Sequence, residues 1–175
     1  MQKSLAFCIK ANYNELKWLK VRVCDTKWGG DGMFLGEYNH TIDPKNRVIV
    51  PVKFREQLGE TFVVSIGLDG CLFLLPSAAW EEKLNALMKL NTSVEQRKLV
   101  RYFSQNSSEC ETDKAGRILI PQKLVDMAGL EKDVVLSGAG DKVEIWSKEK
   151  YEQNSVTESP ESIVERLSAE NGLVF

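Results

Sequence analysis

Two stretches of this chain carry residues able to do chemistry at a repeated spacing. Asp43-Pro44-Lys45-Asn46-Arg47-Val48-Ile49-Val50-Pro51 returns seventy residues later as Asp113-Lys114-Ala115-Gly116-Arg117-Ile118-Leu119-Ile120-Pro121. Asp, Arg and Pro match in register, and the aliphatic triplet matches in kind. Arginine offers a planar donor fork suited to guanine edges, and lysine offers a point charge suited to phosphate. Asn46 and Gly116 are residue types that tolerate a left-handed backbone at the end of a tight turn, and a preceding Asp can bond the turn's own amides. Asp43, Asn46, Asp113 and Gly116 are therefore read as turn-forming residues. Arg47, Lys45, Arg117 and Lys114 are the candidate nucleic-acid contacts.

Each arginine has a second reading, as the partner of the Asp four residues before it, fastening the turn. DNA contact is favoured for Arg47, because Lys45 precedes it and Lys53 and Arg55 follow it, with no acid between Asp43 and Glu56. The second copy has only Lys123 nearby before Asp126, so Arg117 is expected to contribute less. Lys53 and Arg55 are read first as solvated helix charges and second as auxiliary phosphate contacts. His40 is the only histidine and stands without ligand spacing, so it is read as a strand surface residue. Trp80 and Trp146 are read as packing residues, and Cys71 and Cys110 as buried thiols. No nucleophile is paired with a base, and no ligand cluster or Gly-rich phosphate loop is present. Neither an enzyme nor a metal or other cofactor is expected.

The elements that must hold these turns follow from periodicity. A strand is expected over Glu37–Ile42, the turn over Asp43–Arg47, and a strand over Val48–Val50. Pro51 suits a first helical position, Phe54 and Leu58 share a face, and Gly59 is a stop. Phe62–Ile66 and Cys71–Leu75 read as strands joined by Leu68-Asp69-Gly70. Ser77 is expected to cap a helix bearing Trp80, Leu84, Leu87 and Met88, and another helix begins near Ser93. The plan then repeats: strand Glu109–Thr112, turn Asp113–Arg117, strand Ile118–Ile120, and a helix with Leu124 and Ala128 before Gly129. Val134–Leu136 and Val143–Trp146 pair, Ser147 caps a helix through Tyr151, and Pro160 opens a last amphipathic helix.

One copy holds too little core to be stable alone. Two can bury each other's strand faces in a pseudo-two-fold β-barrel with helices outside, which also removes exposed edges. The fold class is thus mainly β with flanking α elements. The expected organisation is 37–79 and 108–151 as the two repeats, 80–107 as connecting helices, and 152–175 as a tail with a short helix.

Composition sets the outer bounds. The hydrophobic fraction of 43% and charged fraction of 27% are those of a globular protein. No apolar run approaches the roughly 20 residues of a membrane helix, and the scattered cysteines suit reduced thiols. Net charge is −2, but basic residues crowd the first turn while acids crowd Glu81-Glu82 and the tail. Local sign outweighs net sign in steering a polyanion. Residues 1–32 lack a clear period and end in Trp28-Gly29-Gly30-Asp31-Gly32, which implies G-rich coding DNA immediately before Met33. They are expected to be a translated leader, with the natural start at Met33; a genuine N-terminal extension is the alternative.

From Met33 to about Tyr151 the chain resembles the MraZ family of bacterial transcriptional regulators. The resemblance is carried by Met33-Phe34-x-Gly36-Glu37-Tyr38, both turn motifs, Gly67-Leu68-Asp69-Gly70-Cys71-Leu72 and Val143-Glu144-Ile145-Trp146-Ser147-Lys148. It implies a double-repeat AbrB-like swapped-hairpin barrel, assembled as a ring-like homo-oligomer (octamer or dodecamer). It further implies a cytoplasmic, nucleoid-associated protein. Such a protein binds G-rich direct repeats in double-stranded DNA upstream of the division and cell-wall genes, repressing its own operon. Two departures stand out. The family's first motif usually has Gly where this chain has Asn46, and many members carry a basic residue at the position of Leu35. An antitoxin-like or structural interaction module on the same barrel is the alternative reading.

Overall fold

Each copy of the repeat folds as strand, turn, short strand, helix and hairpin. The computed structural model describes residues 33–89, 93–155 and 159–171, so the leader expected over 1–32 lies outside the described residues. The first copy gives β1 (Phe34–Thr41), β2 (Arg47–Ile49), α1 (Val52–Leu58), β3 (Thr61–Ile66) and β4 (Leu72–Pro76). Helices α2 (Ser77–Lys89) and α3 (Val94–Gln105) follow. The second copy gives β5 (Ser107–Glu111), β6 (Arg117–Leu119), α4 (Gln122–Ala128), β7 (Asp133–Gly140) and β8 (Val143–Ser147), then α5 (Lys148–Asn154) and α6 (Pro160–Asn171).

The strands interleave across the repeat. One antiparallel sheet has the order β1-β7-β8-β4-β3-β5, which reads the same when the copies are exchanged, and β2 and β6 form a separate ribbon. β1 leaves its own copy to pair with β7, from Phe34 opposite Gly140 to Thr41 opposite Asp133. β5 likewise pairs with β3. A local two-fold axis runs through Phe73 opposite Glu144 in the sheet and Val48 opposite Ile118 in the ribbon. β2 lies beside β1 and β6 beside β5, the two sheet edges. The expected barrel is therefore bridged by the ribbon's packing, without a continuous hydrogen-bond ladder.

Alternation along the strands sorts residues to two sides. Phe62, Val64, Leu72, Leu74, Val134, Leu136, Val143 and Ile145 enter one core together with Val48 and Ile118 of the ribbon. Val63, Leu75, Val135 and Trp146 are also buried but lie outside that cluster. They point to the opposite face, where α2 packs on β3 and β4, and α5 on β7 and β8. This two-sided cover explains why these strands are almost wholly apolar. Phe54, fully buried, meets the rings of Phe34 and Tyr38 edge-on at 5.9 and 5.1 Å. Burial of one such side chain stabilises by about 1.5–3 kcal/mol.

Several boundaries differ from expectation because pairing extends them. β1 begins at Phe34 rather than Glu37, and β7 runs on to Gly140, since the two pair along their whole length. Gly138 permits that approach: a Cβ there would stand 2.4 Å from the Phe34 carbonyl carbon. Cys71 falls just before β4, where its Sγ donates to the Leu68 carbonyl. Pro51 precedes α1 instead of opening it. Ser77 does not cap α2; it lies in the first turn and its hydroxyl donates to the Thr61 carbonyl. Ser93 does form a capping box with Gln96, and the Ser147 hydroxyl accepts from the Lys150 amide. Lys150 Nζ also donates to the Ala128 carbonyl at 2.6 Å, placing a cation on the negative end of α4.

Candidate nucleic-acid interface

The two turns have the same internal wiring. In the first, Asp43 Oδ1 accepts from the amides of Lys45 and Arg47 at 2.8 and 2.9 Å. Asp43 Oδ2 accepts from Arg47 Nε at 2.7 Å and Nη2 at 2.6 Å. In the second, Asp113 Oδ1 accepts from the amides of Ala115 and Arg117 at 2.8 and 2.9 Å. Its Oδ2 accepts from Arg117 Nε at 2.8 Å and Nη2 at 2.7 Å. Asn46 (φ 58°) and Gly116 (φ 74°) hold the left-handed position in each turn. Their amides donate to the Asp43 and Asp113 carbonyls, as a tight turn requires.

These bonds set the electrostatics. Hydrogen bonds from the arginine side chain, then from its amide, lower the carboxyl pKa of both Asp43 and Asp113 to about 2. Arg117 is raised, first by its bond to Asp113, with the charge of Asp43 adding from the other turn. The turn-fastening reading of both arginines is thus present in the structure. It does not exhaust them. The aspartate takes the edge formed by Nε and Nη2, and the edge formed by the two terminal nitrogens is left for a further acceptor.

The ribbon decides where these edges face. Val48 and Ile118 point into the core, so their neighbours Arg47, Ile49, Arg117 and Leu119 point out. Arg47 stands opposite Leu119 and Ile49 opposite Arg117, which puts both arginines on one surface. Backbone bonds from Val50 to the Gly116 carbonyl (3.0 Å) and from Ile120 to the Asn46 carbonyl (2.9 Å) tie each turn to the other copy's strand. Lys45 and Lys114 are both exposed, yet they occupy different motif positions, third and second.

The helices serve the opposite turns from those their sequence order suggests. Asn46 Nδ2 donates to Gln122 Oε1 of α4 at 2.7 Å. Arg55 of α1 donates from Nε to the Val50 carbonyl at 3.0 Å and lies against Gly116, where a Cβ would stand 2.7 Å from its Cζ. Arg55 is therefore half-buried and fixed, not a solvated helix charge, and its guanidinium lies against the second turn. Lys53 is exposed as expected. Sequence reasoning missed Gln122 and Arg55 as turn contacts, and it missed the exposure of Ile49 and Leu119.

The remaining singled-out residues fall outside this face. His40 is half-buried in β1 opposite Val134, and burial lowers its pKa. Burial pushes the thiols of Cys71 and Cys110 up to about 12. Trp80 meets Phe103 of α3 edge-on, and Trp146 meets Tyr151 of α5. Among the described residues no group of three or more His, Cys, Asp or Glu is placed to hold a metal ion. No helix among them is long and apolar enough to cross a membrane.

Comparison with known proteins places this geometry in a family. Residues 33–102 and 103–169 each match the family model described as "MraZ protein, putative antitoxin-like". The chain is 52% identical over 143 residues to "Transcriptional regulator MraZ" of Lachnoclostridium phytofermentans, covering 82% of this chain and 100% of that protein. It is 49% identical over 140 residues to the protein of that name from Heliobacterium modesticaldum, covering 77% of this chain and 96% of the relative. The one from Clostridium beijerinckii is 49% identical over 140 residues, covering 78% and 97%. With both repeats matched and nearly the full length of these relatives covered, the chain belongs to the MraZ family.

Proposed function

We propose that this chain is a sequence-specific regulator of transcription that binds double-stranded DNA without cofactor or catalysis. The observation that carries the reading is the pair of Asp–Arg turns presented on one ribbon surface. An arginine braced by a carboxylate on one edge presents its other edge in a fixed direction, so less side-chain freedom is lost on meeting a guanine. Arg47 and Arg117 read bases; Lys45 and Lys114 contact phosphate; Asp43, Asn46, Asp113 and Gly116 hold the turns. The name shared by the relatives supports the same reading.

The finer proposal is repression of the protein's own division and cell-wall operon through G-rich direct repeats upstream, in the cytoplasm at the nucleoid. A ring-like homo-oligomer, octamer or dodecamer, fits this mode. One subunit makes few contacts, and several joined in one ring gain through effective concentration when sites repeat at matching spacing. The test is binding to a labelled duplex from upstream of the protein's own gene against a scrambled duplex, over a salt series. Preference for the upstream duplex is expected. Equal binding to both would leave the antitoxin-like interaction module as the better reading.

A further inference from the structure

We propose that Ile49 and Leu119 are specificity-determining residues of the same ribbon, seated against thymine methyl groups on the floor of the major groove. This rests on the DNA-binding reading above and adds to it a second class of base contact. Ile49 is 46% and Leu119 62% exposed, on a surface whose other outward side chains are Arg47 and Arg117. Lone surface aliphatics need no explanation. These two, however, occupy the same position of the two repeat copies. The copies differ around them at Asn46 and Gly116, Lys45 and Ala115, Val52 and Gln122, and Arg55 and Val125. Core packing does not require aliphatics at this outward position, since Val48 and Ile118 fill the inward one.

The register sharpens the assignment. The bonds Val50 to Gly116 and Ile120 to Asn46 mark the flanking positions as hydrogen-bonded pairs. Arg47 with Leu119 and Ile49 with Arg117 are therefore the closely spaced, non-hydrogen-bonded pairs. Each arginine stem thus has an aliphatic neighbour, and the four side chains form a patch with arginines on one diagonal and aliphatics on the other. The two arginine Cα atoms stand about 8 Å apart by strand geometry. That matches two to three base-pair steps of about 3.4 Å. A two-stranded ribbon fits a major groove about 12 Å wide, where thymine is the base that offers a methyl group. The flanking Arg47, Arg117, Lys45 and Lys114 favour a polyanion over an apolar protein surface as the occupant.

The experiment compares the upstream duplex made with thymine and with uracil, which removes only the methyl groups. Wild-type protein and the Ile49→Ala/Leu119→Ala variant are titrated on both, with melting and light scattering as controls. Wild type is expected to lose about three- to fivefold per methyl contact on the uracil duplex. The variant is expected to bind the thymine duplex more weakly and to be indifferent to uracil. Wild-type indifference to uracil, with preference for the upstream duplex intact, overturns this inference and leaves the proposed function standing. So does a variant that remains fully sensitive to uracil. A variant that changes oligomeric mass assigns the face to contact between copies and overturns it too. Absence of any preference for the upstream duplex removes the parent reading, and this inference with it.

Discussion

The guanidinium of Arg55, on the helix that follows the first turn, lies against Gly116 of the second, where a Cβ would approach its Cζ to 2.7 Å. In the other direction Asn46 of the first turn donates to Gln122, on the helix that follows the second. The exchange of strands between copies thus also exchanges the helices that brace the turns.

Gly116→Ala is expected to destabilise the fold for two separable reasons. An L-residue at φ 74° costs about 1–2 kcal/mol, and the new methyl group must displace Arg55. In an Arg55→Ala background only the backbone cost remains, so the two substitutions should be clearly non-additive. Denaturant melts of the four proteins in the cycle check this. Additive losses would show that Arg55 moves aside freely.

Arg47→Ala and Arg117→Ala are expected to reduce discrimination between operator and random duplex by similar amounts. The two arginines share the same bonds to aspartate and the same outward face. Loss of a good bidentate base contact costs about 1–3 kcal/mol, whereas a solvent-accessible Asp–Arg pair adds little to the stability of a fold. Binding should therefore fall while the protein stays folded. Wild-type discrimination by either variant would remove that arginine from the set of base contacts, and unfolding by either would make it a structural residue.

Reading the sequence alone ranks Arg117 below Arg47, whereas the structure gives both the same bonds to aspartate and the same face, and the reason the sequence hides that likeness is physical. Both copies carry the same apolar alternation in their strands, so nothing local distinguishes pairing of β1 within its own copy from pairing with β7. Only the joint burial of both copies selects the exchange, and the position of Arg55 depends on it. What is local was legible: the left-handed position at Asn46 and Gly116, the start of α3 near Ser93, the Ser147 cap, and the burial of Val48 and Ile118. The exposure of Ile49 and Leu119 was hidden because an aliphatic triplet reads as wholly buried. A three-residue ribbon strand with one buried face leaves the middle residue inside and its neighbours out.

Acid should loosen both turns together. The carboxyl groups of Asp43 and Asp113 are lowered to about 2 in the folded chain, against about 3.9 when unfolded. A depressed folded pKa means their contribution is full above about pH 4 and fades as pH falls toward 2. Wild-type stability should decline across that window, and the Asp43→Asn/Asp113→Asn variant should show a shallower decline from a lower start. Parallel curves for the two proteins between pH 5 and 2 would mean that these pairs add nothing to stability.

Lys45 and Lys114 should behave unlike the arginines. Both are exposed on the turns, and an ammonium group is a compact charge without the fork that recognises a base edge. Each is expected to displace condensed cations from a phosphate, which strengthens binding to every sequence alike. Removing one such contact lowers the slope of log affinity against log salt by about 0.9 for each engaged subunit. Lys45→Ala and Lys114→Ala should thus weaken operator and random duplex in equal proportion and flatten both salt curves. Because the lysines occupy different motif positions, Lys45 beside Asn46 and Lys114 beside Asp113, they need not be equivalent. The one with the larger change in slope is the one nearer the phosphate backbone. A change in the ratio of operator to random affinity, with the slope unaltered, would instead make that lysine a base contact.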